Sequence, residues 1–415
     1  MTNPSFRKAL IWSLIAAAFI GPGTVTTAAR AGSEGGWHYA PFVLLAAFAG
    51  FLLMEMVARI TLVSGRSLGR LLGGRGGWLA IVCFGAVLLG CMAYQAGNLL
   101  GALSGIQLLA PIDRLWVLLL GVFATAVLWK GDTGLIARAL SRIVVLMGFI
   151  FVVSALLLIF GGGSLAGNGT VTTGTIIGLV GTTIVPYNFF LAAGLSKGQG
   201  VGEMRLGLGL SFLVGGLITL SIILVGSVAP SFTGFDDLAR TLDANLGGMS
   251  NAVLGFGLFA AGFSSAVTAP LAAAMAGREL LGFGAEDQKP SNVSRPFRLI
   301  WGGVLAVGLL VACLELDIIS VILAAQVANG LLLPFIAAIV LVMANDRTLL
   351  GERANAGWQN FAGLLVAGFL ALKNIDLLVG KAGIAVAYLP EVLAAFYVLG
   401  VGGLMWRRRS AKRGG

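Results

Sequence analysis

Charged residues in this chain are confined to short intervals between long apolar runs, and this spacing constrains the fold more than any single motif. A bilayer-spanning helix needs about 20 predominantly apolar residues. Twelve such runs can be marked, at roughly 8–31, 39–64, 78–105, 112–130, 139–162, 171–196, 204–230, 249–280, 296–315, 318–344, 358–379 and 388–406. In lipid every backbone N–H and C=O must find its partner within protein, so runs of this kind fold as helices. With 58% hydrophobic and 11% charged residues and a mean hydropathy of +0.97, a soluble domain is excluded. The expected fold class is an all-α integral membrane protein with a single transmembrane domain over 1–415.

The net charge of +10 is a matter of sidedness, not of nucleic-acid binding. With the N-terminus placed in the cytoplasm, 21 of the 27 Lys and Arg residues fall on the cytoplasmic side. Five fall on the opposite side: Arg30, Arg114, Arg240, Lys373 and Lys381. This bias predicts cytoplasmic N- and C-termini in an inner (plasma) membrane, with a basic tail at 407–415 held near anionic headgroups. Cys83, Cys91 and Cys313 all lie in apolar runs, and His38 is the sole histidine, so neither a disulfide framework nor a histidine metal site is expected. No cleavable signal peptide is expected, because the first apolar run continues past its glycines. The loop at 230–247, with Asp236, Asp237 and Asp243, reads as a short surface helix.

Two runs are interrupted. The first contains Gly21-Pro22-Gly23-Thr24, between apolar flanks ending at Ile20 and resuming at Val25. The sixth contains Thr182-Thr183-Ile184-Val185-Pro186-Tyr187-Asn188. Glycine and proline interrupt helices, and the backbone groups they free at membrane depth need protein, water or a ligand as partners. Paired interruptions in two halves of a chain point to the central site of a secondary transporter. Gly21, Pro22, Gly23, Thr24, Thr27, Thr182, Thr183, Val185, Pro186, Tyr187 and Asn188 are therefore the candidate substrate-binding residues. Runs 1–5 (about 8–162) and 6–10 (about 171–344) form the expected inverted repeats. Two further helices lie within 358–406.

The chain resembles the NRAMP family of divalent-metal transporters, which have the LeuT-type fold. The resemblance rests on Gln326-Val327 through Leu333-Pro334-Phe335, followed by Asn345-Asp346-Arg347-Thr348-Leu349-Leu350-Gly351. It is extended by Ala261-Gly262-Phe263-Ser264-Ser265-Ala266-Val267-Thr268 and by Val63-Ser64-Gly65-Arg66-Ser67-Leu68. It implies a divalent-metal cargo and binding between the first and sixth helices, with Gln326 nearby. The functional motifs depart from the family pattern. Asp-Pro-Gly-Asn is Gly21-Pro22-Gly23-Thr24 here, and Met-Pro-His-Asn is Val185-Pro186-Tyr187-Asn188. The acidic pair that the family places on its third helix, along its proton path, aligns with Gln95 and Asn98.

Gln326 is thus the one candidate metal ligand, in a site that otherwise offers hydroxyls, amides and carbonyls. A divalent ion stripped of water favours carboxylates or many oxygens, and transition metals favour nitrogen or sulfur. Two cargoes stay open: a small inorganic cation such as Mn²⁺ or Mg²⁺, and a small anion, organic acid or amino acid held on helix N-termini. A non-transporting membrane sensor is a third reading. No cofactor is expected, and the partners are the small substrate and the bilayer. An enzyme is not expected, since no nucleophile–base pair or acid pair stands at membrane depth. Glu55 and Arg59, with Gln95 and Asn98, are candidates to line the path. Both Glu55/Arg59 and Arg30/Glu34 have the i,i+4 spacing of mutually paired ions.

Overall fold

The computed structural model describes residues 20–73, 77–130, 134–162, 165, 167–189, 199–229, 231–246, 248–282 and 294–410. Those residues contain helices and no strand. In chain order the first helices are α1 (Pro22–Gly35), α2 (Ala40–Ser64), α3 (Leu68–Gly73), α4 (Gly77–Gln107), α5 (Trp116–Lys130) and α6 (Gly134–Phe160). They are followed by α7 (Thr173–Thr183), α8 (Val201–Gly226), α9 (Phe235–Leu246), α10 (Ser250–Leu281) and α11 (Arg295–Cys313). The last are α12 (Ile318–Ala344), α13 (Arg347–Leu350), α14 (Gly357–Lys381) and α15 (Leu389–Ser410). Among the described residues nine helical stretches are long and apolar enough to cross a membrane; the first joins α1 to α2 through a 3₁₀ turn. The expected surface helix at 230–247 is α9.

In the first apolar run Ile20 and Gly21 are non-helical, and α1 starts earlier than the sequence suggests. It begins at Pro22, not Val25, with extended Gly21 as its N-cap. Proline suits the first helical position, where its fixed φ is preorganised and its missing N–H has no partner to lose. Residues 8–19, the first half of that apolar run, lie outside the described residues. In the sixth run α7 stops at Thr183, and Ile184 and Val185 are non-helical. The chain then turns at Pro186–Tyr187 and re-enters helix at Asn188–Phe189. Proline disfavours helical geometry in the residue before it, which explains the stop. The second half, 190–198, is outside the described residues.

Helices meet through small residues, as expected where lipid supplies no hydrophobic drive between them. Along the α4–α10 crossing, a side chain on Gly262 would strike the backbone of Asn98 and Ala102. Two apolar clusters fill the interior. One holds Leu53, Val57, Tyr94, Val185, Leu333 and Val340. The other holds Ile20, Val25, Leu99, Leu179, Ile223 and Leu258. Both clusters draw on α4, α7 and α12.

Candidate functional site

The two breaks meet. Thr24 Oγ1 and Thr182 Oγ1 are 2.9 Å apart, across 158 residues of sequence. Gln326 of α12 fills the space between α1 and α7. A Cβ on Gly23 would overlap the Gln326 side-chain amide, and a Cβ on Gly181 would overlap the Gln326 backbone carbonyl. Only glycine at these two positions allows three helices to converge so closely. Tyr94 of α4 is buried beside this convergence, and its ring meets that of Tyr187 edge-on at 6.2 Å. Pro22 seats on α4, where a side chain at Gly101 would collide with it. Ser265 Oγ of α10 lies 3.6 Å from where a Cβ of Gly21 would stand.

Several polar atoms at this junction are buried and lack a protein partner. They are Thr26 Oγ1, Thr27 Oγ1, Gln326 Oε1 and both side-chain atoms of Asn188. A buried orphan of this kind costs about 1–3 kcal/mol. All five sit on the residues of the two breaks or on Gln326, and the Thr27 and Gln326 side chains both approach Gly178 of α7. The set holds two hydroxyls that can both donate and accept, two amide oxygens and one amide donor, and no formal charge. Among the described residues no group of three or more His, Cys, Asp or Glu could hold a metal ion. Thr183 is different. Its hydroxyl bonds to Leu179 O within α7 at 2.8 Å, so it does not contribute an orphan.

A cavity of about 460 Å³ opens from this junction towards the end of α1. Thr27, Gly178 and Val327 line it together with Arg30, Glu34 and Asp317. Arg30 pairs with Glu34 at 2.6 Å, matching the i,i+4 expectation. Glu34 also accepts from Thr175 Oγ1 at 2.8 Å, which ties the end of α1 to the start of α7.

A second cavity, of about 920 Å³, lies towards the far end of α2 and is lined by Glu55, Arg59, Arg205 and Arg353. Glu55 is about 22 Å along α2 from its start, by helix rise. Glu55 and Arg59 pair at 3.0 Å, each side chain 3% exposed. The sequence did not suggest their further partners. Arg205 Nη2 reaches Glu55 at 2.8 Å. Arg59 donates to Asn355 Oδ1 at 2.5 Å and to the Arg353 carbonyl. Pairing at i,i+4 looks complete on its own, which concealed partners 150 and about 300 residues away.

Gln95 and Asn98 are buried on α4. Gln95 Nε2 donates to Ala266 O at 2.9 Å, a backbone partner on α10. Asn98 Nδ2 has no protein partner, and neither does Nδ2 of Asn329, one turn beyond Gln326 on α12. Nothing in the sequence singles out Asn329 except its i,i+3 relation to Gln326.

Comparison with known proteins gives a consistent result. The sequence profile of the family described as natural resistance-associated macrophage protein-like (Nramp) matches residues 13–380. The divalent metal cation transporter MntH 1 of Pseudomonas aeruginosa is 25% identical over 410 residues, covering 88% of this chain and 89% of its own. The MntH of Ralstonia nicotianae is 26% identical over 421 residues, covering 88% and 91%. Among solved structures, the Eremococcus coleocola manganese transporter in complex with an aromatic bis-isothiourea compound superposes with a TM-score of 0.71 at 18% identity, over 98% of this chain and 96% of that one. Mhp1, a nucleobase-cation-symport-1 family transporter in a closed conformation with bromovinylhydantoin bound, gives 0.61 at 16% identity, over 97% and 91%. The fold is accordingly the LeuT-type bundle of two inverted five-helix repeats with two further helices.

Proposed function

The chain belongs to the Nramp family, and from that premise we propose that it is a secondary transporter moving a divalent cation by alternating access. The observation that carries the reading is the set of unpartnered buried atoms where the two broken helices meet: Thr26, Thr27, Asn188 and Gln326. Thr27 also lines a cavity that reaches one end of the bundle, and a second cavity lies towards the other. The first cavity, with Arg30 and Glu34, is the outward one, and the second, with Arg59 and Arg205, is cytoplasmic. This assignment follows the distribution of Lys and Arg. Both termini are then cytoplasmic.

The chemistry of the site narrows the cargo. Neutral oxygens do not replace the full hydration of a small divalent ion, and Mg²⁺ gives up its water reluctantly. A cation that keeps part of its shell would donate hydrogen bonds outward to Gln326 Oε1, Asn188 Oδ1 and the threonine hydroxyls. A soft transition metal finds no sulfur or imidazole at the two breaks. The reading is therefore Mg²⁺-like cargo, held weakly, with Mn²⁺ held far less tightly than the manganese-transporting relatives would hold it. Calorimetry and proteoliposome flux with Mg²⁺ and Mn²⁺ test this. Tight Mn²⁺ binding that disappears in Gln326→Ala would overturn it.

One observation favours a second reading. Gly21 gives α1 no side-chain cap, and Asn188 Nδ2 is an unpartnered donor. A helix N-terminus favours a carboxylate through its dipole, although at α1 Pro22 has no N–H and Thr24 N–H bonds to Gly21 O. Inhibition of Mg²⁺ flux by small carboxylates, with their own saturable uptake, would favour this anion reading.

A further inference from the structure

Two prolines lie inside helices that remain whole, Pro270 in α10 and Pro334 in α12. An interior proline has no N–H for the carbonyl four residues before it, and its ring crowds that carbonyl. The carbonyls concerned are those of Ala266 and Gly330. Each is taken by a side-chain amide from a neighbouring helix. Gln95 Nε2 of α4 donates to Ala266 O at 2.9 Å. Asn374 Nδ2 of α14 donates to Gly330 O at 3.0 Å. Both amide residues are buried.

The same device thus occurs on both helices, and each stands against a break. Ser265, the neighbour of Ala266, is the residue that faces Gly21. Gly330 lies one turn beyond Gln326, and a side chain on Gly181 would strike its backbone nitrogen. A carbonyl left open in α10 or α12 would be relieved by bending the helix towards another donor. That bend would fall where the helix walls the site.

We propose that Gln95 and Asn374 are positioning residues. Each replaces the hydrogen bond that a proline removes, and so holds one wall of the central site in register with a helix break. Neither amide meets the cargo. Gln95 thereby has a defined duty at a position that the family resemblance puts on a proton path. This duty is independent of the cargo's identity, so it stands or falls separately from the proposed function.

The test uses the full-length purified protein and exploits the fact that alanine restores the missing N–H. Gln95→Met keeps the length of the side chain and removes the donor. It should lower the folded-to-unfolded ratio at fixed denaturant about tenfold, as expected for one orphaned buried carbonyl. Adding Pro270→Ala should recover most of that loss, because the backbone N–H restored by the substitution can then take Ala266 O. Gln95→Glu can donate only when protonated. Its unfolding midpoint should rise as the pH falls, because the ionised carboxylate is both buried and unable to donate. In the Pro270→Ala background the slope should shrink to the part that burial alone gives, and an equal slope in both backgrounds would overturn the proposal. Asn374→Leu with Pro334→Ala should repeat the recovery. If Gln95→Met does not fold, folding of the double variant supports the proposal and its failure to fold overturns it. Equal losses with and without Pro270, no loss in Gln95→Met, or a flat pH profile in Gln95→Glu would each overturn it.

Discussion

Four prolines at membrane depth divide into two pairs. Pro22 and Pro186 stand at helix breaks, Pro22 as the first residue of α1 and Pro186 just past the end of α7; Pro270 and Pro334 stand where helix continues. The residue itself is the same, so the difference comes from what surrounds it. At Pro270 and Pro334 a buried amide from another helix accounts for the freed carbonyl. At Pro22 and Pro186 glycines, threonines and an asparagine gather instead, and several of their polar atoms have no protein partner. One pair is closed by the protein. In the other, part of the hydrogen-bonding capacity is not taken up by protein, and the proposed function assigns it to the cargo.

The sharpest way to break this contrast is to fill the open pair. Gly23→Val places methyl groups where the Gln326 amide now stands. Cation flux in proteoliposomes should fall to background while the protein still inserts, since the apolar flanks are unchanged. Gly400→Val, at a position with nothing within 4 Å of the added Cβ, is the matched control and should transport normally. Flux surviving in Gly23→Val would mean that cargo does not pass between the two breaks.

Removing orphans should cost less. Asn188→Leu deletes two unpartnered polar atoms at once. We expect a rise in the half-saturating Mg²⁺ concentration of about tenfold or more, with the folded protein intact. An unchanged half-saturation would show that Asn188 serves structure and not cargo.

A smaller effect is expected for Thr24→Val and Thr182→Val, which break one hydroxyl pair from either side. Each should reduce flux a few-fold, and the double variant should be little worse than either single one, because they share the interaction. Strict additivity would separate the two hydroxyls functionally. Thr183→Val should change almost nothing, since that hydroxyl serves its own helix.

Proton movement supplies a last, null-valued measurement. Gln95, Asn98 and Tyr187 occupy positions where the family resemblance expects titrating groups. Amides do not titrate, and an ordinary phenol titrates near pH 10. An internal pH dye should therefore register no cargo-dependent change during uptake. A proportional pH change would return attention to Glu55, although that carboxylate is already held by two guanidinium groups.

The sequence carried a good deal of this. Apolar length located the helices, and the Pro–Gly clusters announced that the first and sixth runs are interrupted. Helix α1 starts up to three residues earlier than the sequence suggests, because Pro22 begins a helix where a breaker is expected. Gln326 entered through family resemblance, and no spacing rule could have set it against Gly23 from some 300 residues away. Nothing in the sequence marks Pro270 as the residue that gives Gln95 its partner at Ala266. Long-range partners that satisfy one particular carbonyl leave no periodic trace in a sequence. The same holds for Arg205 and Asn355, which complete a cluster whose local half already looked balanced.

The absence of formal charge at the junction of the breaks has an electrical consequence. With no carboxylate among the described residues there to offset it, a divalent ion moved as proposed would carry its whole charge through the transmembrane field, and the unloaded protein would return carrying none there. Each elementary charge is worth about 2.3 kcal/mol per 100 mV, so two are worth about 4.6. An inside-negative voltage would then drive accumulation without any second ion. Liposomes clamped at increasing potassium-diffusion potentials should show uptake that steepens with voltage, and voltage-independent uptake would point to a compensating charge that travels with the cargo.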